Sequence, residues 1–248
     1  MIDVLLKKEE KIDDLQLRGL KIIQNPTQFC FGIDAVLLSD YSLTSIKKGA
    51  NVLDLCSGNG IIPLLLSAKS EAKNITGMEI QADIANMAKR SIEMNELSHK
   101  IDFICDNLNN AFTHFGRSSF NNITCNPPYK ELGGGIINSE NSLTIARHEV
   151  KCTLEDIIRV SSELLEPGGK LCMVHRPERL IDIICIMRAY KIEPKRLRFV
   201  HPYYNKTANL ILLEGTRHGK PKLFLDLPLY VYEKPGIYTK EINEIYER

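Results

Sequence analysis

Four consecutive residues near the middle of the chain, Asn126-Pro127-Pro128-Tyr129, combine a side-chain amide, two rigid prolines and an aromatic ring. They follow a short apolar run, Asn122-Ile123-Thr124-Cys125, that reads as a buried strand. An amide oxygen and a peptide carbonyl accept hydrogen bonds, proline fixes φ and offers no N–H, and the ring supplies a stacking face. The set suits a clamp for a planar substrate that carries an amino group. Alone, Asn-Pro-Pro-Tyr reads equally as a surface turn, since Asn-Pro starts turns and Pro-Pro extends them. Its place after a buried strand favours the clamp.

A second constellation lies upstream. Asn51-Val52-Leu53-Asp54-Leu55 reads as a buried strand that runs into Cys56-Ser57-Gly58-Asn59-Gly60 and then an apolar helix over 61–68. Gly58 and Gly60 let backbone approach a ligand closely, and the helix start aims N–H donors at it. NAD, FAD and S-adenosylmethionine all fit such a turn. Glu79 ends the next strand, where a carboxylate accepts both hydroxyls of a ribose. Pro63 stands where a dinucleotide fingerprint has its third glycine, which favours a ligand without a pyrophosphate. Asp54 and Asp106, at neighbouring strand ends, favour a cationic ligand and repel a diphosphate. Each also has a plain structural reading, Asp54 as a turn former and Asp106 as an N-cap.

The elements that position these residues alternate. Strands are expected over 51–55, 74–79, 101–105 and 122–125, with a helix over 82–96 that has Ile84, Ala85, Ala88, Ile92 and Asn95 on one face. That order implies an α/β fold of Rossmann-like type, a mostly parallel sheet flanked by helices, whose ligands lie beyond the strands' carboxyl ends. Residues 1–32 read as an N-terminal appendage, with short strands at 15–18 and 20–24 around Gly19, and 33–248 as the main domain. Gly32 and Asp34 precede an apolar run and mark a helix start, with Asp34 a candidate N-cap. The 130–150 stretch is a Gly/Asn/Ser-rich loop carrying Arg147 and His148, of a length that is usually functional. Beyond it we expect a helix over 153–165 capped by Thr153 and stopped by Glu166-Pro167-Gly168-Gly169. A strand over 170–175, a helix over 179–190, strands over 197–201, 208–213 and 223–232, and a final helix over 240–246 complete the pattern.

Composition narrows the setting. No apolar run approaches the ~18 residues a membrane span needs, and the start of the chain has no secretory pattern, so a cytoplasmic protein is expected. The seven cysteines are scattered without CxxC spacing, which suggests neither a disulfide framework nor a metal site. Net charge is +1, yet 186–222 holds nine Lys/Arg against two Glu, which hints at a polyanionic partner or equally a solvated basic face. Tyr203-Tyr204 with Asn205-Lys206 suits stacking on RNA as well as packing on the core.

The ordered set Asp54-Leu55-Cys56-Ser57-Gly58-Asn59-Gly60, Glu79, Asp106 and Asn126-Pro127-Pro128-Tyr129 resembles the class I S-adenosylmethionine-dependent amino methyltransferases. Cys56 departs from the pattern, which often has glycine there, so the turn is expected to keep ordinary φ at that residue. Phe31-Gly32-Ile33-Asp34-Ala35-Val36-Leu37-Leu38, Gly60-Ile61-Ile62-Pro63-Leu64-Leu65, Ala146-Arg147-His148-Glu149, His175-Arg176-Pro177-Glu178-Arg179-Leu180 and 194–202 are similar to the tRNA(Val) adenine-37 N6-methyltransferase family in its Gram-positive-like form. The resemblance implies S-adenosylmethionine bound by Asp34, Asp54, Gly58, Asn59, Gly60, Glu79, Ile80, Asp106, Asn107 and Asn126. It also implies catalysis by Asn126, Pro127 and Tyr129, with a tRNA anticodon loop met by Pro128, Tyr129, Arg147, His148, Arg176 and the basic C-terminal part.

An adenine N6 lone pair is delocalised into the ring, so two acceptors, Asn126 Oδ1 and the Pro127 carbonyl, would free it for a methyl group. Tyr129 would stack on the base. The competing readings keep the clamp and change the amine, to rRNA guanine N2, DNA adenine or a protein glutamine, or keep the fold as a non-catalytic cofactor- and RNA-binding module.

Overall fold

The computed structural model describes residues 6–28, 30–128 and 152–247. An antiparallel hairpin opens it, β1 (Lys11–Asp14) and β2 (Lys21–Gln24), with Ile12 opposite Ile23. The strand expected at 15–18 is instead the connection: Gln16, Arg18 and Gly19 all have positive φ, and Leu17 and Leu20 turn inward to join the main apolar core. An alternating Leu-x-Leu pattern arises here from a turn that buries its leucines.

After α1 (Ile33–Leu43) the alternation runs as expected through β3 (Asn51–Leu55), α2 (Ile61–Lys69), β4 (Asn74–Glu79), α3 (Ala82–Met94) and β5 (Ile101–Cys105). A single turn, α4 (Ala111–His114), precedes β6 (Phe120–Cys125). Next come α5 (Leu154–Leu164), β7 (Leu165–His175), α6 (Leu180–Ala189), β8 (Ile192–His201) and β9 (Leu210–Arg217). The nine-stranded sheet has the order β10-β8-β9-β7-β6-β3-β4-β5, where β10 is Phe224–Leu225 and the further strand β11 (Leu229–Tyr230) also lies on β8. β5, β4, β3, β6 and β7 are mutually parallel, and β9 is antiparallel to both its neighbours.

The chain steps outward from β3 to β5 and then returns to lay β6 on the other side of β3. The β3–β6 pair is therefore the topological switch point, where open α/β sheets bind ligands. Leu53, Leu55 and Ile123 on these strands are wholly buried, as parallel strands covered on both faces require.

The hairpin docks beside α3. Ile23 donates its backbone N–H to Ser91 Oγ at 2.9 Å, Lys21 donates to Asn95 Oδ1 at 2.9 Å, and Arg90 forms a two-point ion pair with Glu10. Asn95 is the C-cap of α3, one residue past its end.

Three expectations are corrected. Glu166-Pro167-Gly168-Gly169 does not separate helix from strand; β7 runs through it with a register shift, Phe120 facing Leu165 and Asn122 facing Lys170, and Gly168 supplies the positive φ. β8 begins earlier than 197, crossing Pro194 at another irregularity, which suits a residue with no N–H. The single strand expected at 223–232 is broken at Asp226-Leu227-Pro228, and the chain continues as a small hairpin, β12 (Tyr232–Lys234) with β13 (Ile237–Tyr238). The last helix, α7 (Lys240–Ile245), is capped by Thr239. Thr153 caps α5 in a reciprocal box with Asp156, as its sequence indicates. Among the described residues no helix is long and apolar enough to cross a membrane.

Candidate functional site

Strand register brings the two constellations together. Leu55, the last residue of β3, faces Cys125 on β6 and Met78 on β4. The residues that follow, Cys56 and Asn126, and Glu79 at the end of β4 therefore converge at one edge of the sheet.

The turn after β3 is held by backbone bonds, Ser57 N to Met78 O and Gly60 N to Ser57 O, each 3.0 Å. Cys56 has φ 56, so the expectation of ordinary φ there is overturned; a cysteine adopts the left-handed region that glycine occupies without strain. Gly60 also has positive φ, and a Cβ on it would meet Ala88 of α3 at 3.2 Å, so both conformation and packing require glycine. At Gly58 a Cβ would meet nothing within 4 Å, which leaves open space above the turn. Gly58 donates its N–H to Glu79 Oε2 at 3.0 Å, while Oε1 accepts from Gln81 N at 3.0 Å. Those bonds fix the carboxylate, with half-buried Ile80 next to it.

Asp54 is completely buried. Thr124 Oγ1 donates to its Oδ1 at 2.6 Å, and its Oδ2 has no partner among the described residues. Burial pushes its carboxyl up to about 7. Ser57 Oγ lies near enough to oppose that rise but outside hydrogen-bond geometry. Ser57 Oγ and Asn59 Nδ2 are buried without partners as well. An acceptor, a hydroxyl and an amide donor are thus orphaned within six residues, at the end of β3 and in the turn after it, which is costly unless a polar ligand completes them.

Asp106 and Asn107 follow β5 directly. Asp106 accepts from His114 Nε2 at 2.7 Å, Asn110 Nδ2 and Asn107 N, and the His114 bond first among these holds its carboxyl below the usual range. The N-cap of the following short turn is Asn107 rather than Asp106, its side chain accepting from Asn109 N at 2.9 Å.

Asn126 is half-buried and Pro127 buried. The Asn126 side chain donates from Nδ2 to Asp34 Oδ2 at 3.1 Å, across 92 residues of sequence. Asp34 is not the N-cap of α1; Gly32 is, and Asp34 stands in the first turn with Oδ1 accepting from Ala35 N at 3.0 Å. A carboxylate oxygen only accepts, so the amide nitrogen of Asn126 must face it and Oδ1 must face elsewhere. Nothing in the sequence pairs these residues, because the contact joins a helix start to a strand end through the tertiary fold.

Three of the scattered thiols, Cys56, Cys125 and Cys152, pack in one apolar cluster beside the site. Each is raised above the usual thiol range, Cys56 chiefly by its contact with Cys125, Cys125 by burial and Cys152 by its contact with Cys56. They are neutral and supply no thiolate nucleophile.

Arg176 follows β7 at the same sheet edge and donates to the carbonyl of Asn209 at 3.1 Å. Tyr129, Arg147 and His148 lie outside the described residues. The basic stretch is divided rather than gathered at the site. Arg196 pairs with Asp226, Arg198 with Glu241 and Arg188 with Glu193. Lys191, Lys195, Arg217, Lys220 and Lys222 lie toward the start of β8 or the end of antiparallel β9, at the edge opposite Asn126. Of the nine cations, Lys206 alone stands beyond the carboxyl end of β8.

A family model described as the methyltransferase small domain matches residues 33–184, more than half of the chain. The chain belongs to the methyltransferase small domain family. This methyltransferase is similar to the tRNA1(Val) (adenine(37)-N6)-methyltransferase of Porphyromonas gingivalis, 29% identical over 82% of the chain and 80% of the relative. It is also similar to the protein of that name from Shewanella halifaxensis, 25% identical over 83% of the chain and 86% of the relative. In fold, the methyltransferase matches a predicted O-methyltransferase from Agrobacterium tumefaciens with TM-score 0.69 and 20% identity, covering 86% of this chain and 95% of the other. TYW2 from M. jannaschii, solved in complex with AdoMet, matches with TM-score 0.57 at 11% identity, covering 86% and 87%.

The methyltransferase is S-adenosylmethionine-dependent, and its own residues fit that cofactor. The donor and acceptor orphaned at Asn59 and Asp54 complement a carboxylate and an ammonium, the open face of Gly58 admits a close approach, and Glu79 offers its carboxylate to hydroxyls. Among the described residues no cluster could hold a metal ion.

Proposed function

We propose that this methyltransferase methylates N6 of an adenine in tRNA, the adenine at position 37 of a valine tRNA, in the cytoplasm. The observation that carries the amine chemistry is the Asn126–Asp34 hydrogen bond, which leaves Asn126 Oδ1 as an acceptor. The names of the two relatives support the choice of adenine and tRNA.

In this reading S-adenosylmethionine supplies an electrophilic methyl group. Asp54, Gly58, Asn59, Gly60, Glu79, Ile80, Asp106 and Asn107 hold and orient it along the ends of β3, β4 and β5. Asn126 Oδ1 and the Pro127 carbonyl accept the two N6 protons, which favours a tetrahedral nitrogen with its lone pair localised. Pro127 and Pro128 offer no N–H that would confront the amine. Asp34 acts through Asn126 by fixing the amide's orientation. Tyr129 stacks on the base, and Arg147, His148 and Arg176 meet the RNA around it. The amine acidifies sharply as it becomes cationic, so no strong base is required; the raised thiols beside the site supply none.

Transfer of a labelled methyl group, assayed in parallel on tRNA, rRNA, DNA and release-factor protein, tests the reading. Label in tRNA as N6-methyladenosine is expected, and label confined to protein or to guanine would overturn it.

A further inference from the structure

Tyr203 and Tyr204 occupy the turn between β8 and β9, and the structure separates their roles. Tyr203 packs its ring on Tyr232 at 5.6 Å, Tyr232 stacks on Tyr238 at 5.1 Å, and Tyr238 on Tyr246 at 5.7 Å. Tyr232, Tyr238 and Tyr246 pack in turn against the main core. Tyr204, next to this ladder, is 78% exposed and makes no ring contact among the described residues.

The turn itself is braced. Lys206 N bonds to Tyr203 O at 3.1 Å, the His201 ring bonds through Nδ1 to Lys206 O at 2.8 Å, and Tyr232 N bonds to Pro202 O at 3.0 Å. Arg176 ties its far end through Asn209 O. The backbone beneath Tyr204 is already ordered, so a partner arriving there has only the side chain left to order. Lys206 has no ion-pair partner among the described residues.

The turn lies beyond the carboxyl end of β8, the same sheet edge as Asn126. β8 is the third strand from β6, so the lateral offset is roughly 14 Å at about 4.8 Å per strand. That spacing suits nucleotides flanking a base held at Asn126. An exposed ring with a cation two residues away is the pairing that single-stranded nucleic acids use, one for base stacking and one for phosphate.

We propose that the 202–206 turn is a contact platform for single-stranded RNA, with Tyr204 stacking on a base flanking the target adenine and Lys206 meeting the backbone. This inference rests on the tRNA reading above.

Steady-state methyl transfer to unmodified tRNA tests it. Tyr204→Ala should raise KM for tRNA roughly ten-fold, with the loss in KM rather than kcat, and Tyr204→Phe should stay within about two-fold of wild type because the π-face survives. Lys206→Ala should flatten the dependence of log KM on log salt by about 0.7 to 0.9. Affinity for S-adenosylmethionine and the melting temperature serve as controls for folding. If wild-type enzyme methylates tRNA and Tyr204→Ala is indistinguishable from it, this inference alone is overturned. If wild-type enzyme labels protein and not RNA, both this and the tRNA reading fall.

Discussion

Asn126 donates its side-chain N–H to the carboxylate of Asp34 at 3.1 Å, and this one bond decides which end of the amide is offered to a substrate. An asparagine at a strand end can otherwise flip, presenting a donor where the chemistry needs an acceptor. Replacing Asp34 with Ala should lower kcat by about ten-fold or more while leaving KM for tRNA and the affinity for S-adenosylmethionine nearly unchanged. Asp34→Asn should recover part of the loss, since a carboxamide oxygen can still accept from Asn126. Equal loss in kcat and in cofactor affinity would show that Asp34 binds the cofactor itself.

Asp54 carries a pH signature. Burial raises its carboxyl from about 4 to about 7, so the folded protein keeps a proton that the unfolded chain loses. The stabilisation is fully present below about pH 4 and is lost as pH rises toward 7. The melting temperature of the cofactor-free protein should carry this downward slope, and Asp54→Asn should remove it. If the ionised carboxylate meets the ammonium of S-adenosylmethionine, cofactor affinity rises with pH through about 7. Calorimetry across pH 6 to 8 would detect the linked proton release, and a pH-independent affinity would refute that pairing.

Cys56 holds a left-handed backbone at φ 56. For an L-residue other than glycine that conformation costs roughly 1–2 kcal/mol, while glycine loses about 0.5–1 kcal/mol through its greater unfolded-state freedom. The backbone terms alone make Cys56→Gly neutral to about 1.5 kcal/mol stabilising, offset by the loss of thiol packing, and the variant should retain cofactor binding. Cys56→Val, β-branched at positive φ, should lose stability and cofactor affinity together, as read by chemical denaturation and calorimetry.

The strands that end at the site were legible because their signals are local. Asn51–Leu55 and Asn74–Glu79 are short segments with apolar residues at their centres, bounded by the acidic and glycine residues they deliver. The left-handed φ of Cys56 was not legible, since residue type argues for ordinary backbone and only the pairing of β3 with β4 forces the turn. Nor was the Asp34–Asn126 contact, the meeting of three thiols, or the scattering of the basic stretch, all of which depend on which strand lies beside which. Gln16-Leu17-Arg18 misled for the opposite reason, its alternation being real but serving a turn.

The hairpin reports on α3. Ser91 Oγ accepts the buried N–H of Ile23, so Ser91→Ala strands that donor and should cost about 1–3 kcal/mol. Denaturant unfolding would show it as a lowered midpoint with an unchanged slope, and a midpoint equal to wild type would mean that this bond does not hold the hairpin to α3.

In the proposed chemistry Asn126 makes an adenine amine reactive. The most direct test compares wild type and Asn126→Ala on unmodified tRNA, with nucleosides analysed by mass spectrometry and S-adenosylmethionine affinity measured by calorimetry. Wild type should form N6-methyladenosine, and the variant should lose about 100-fold or more in kcat with cofactor affinity within a few-fold of wild type. Undiminished N6-methyladenosine formation by Asn126→Ala would contradict that chemistry.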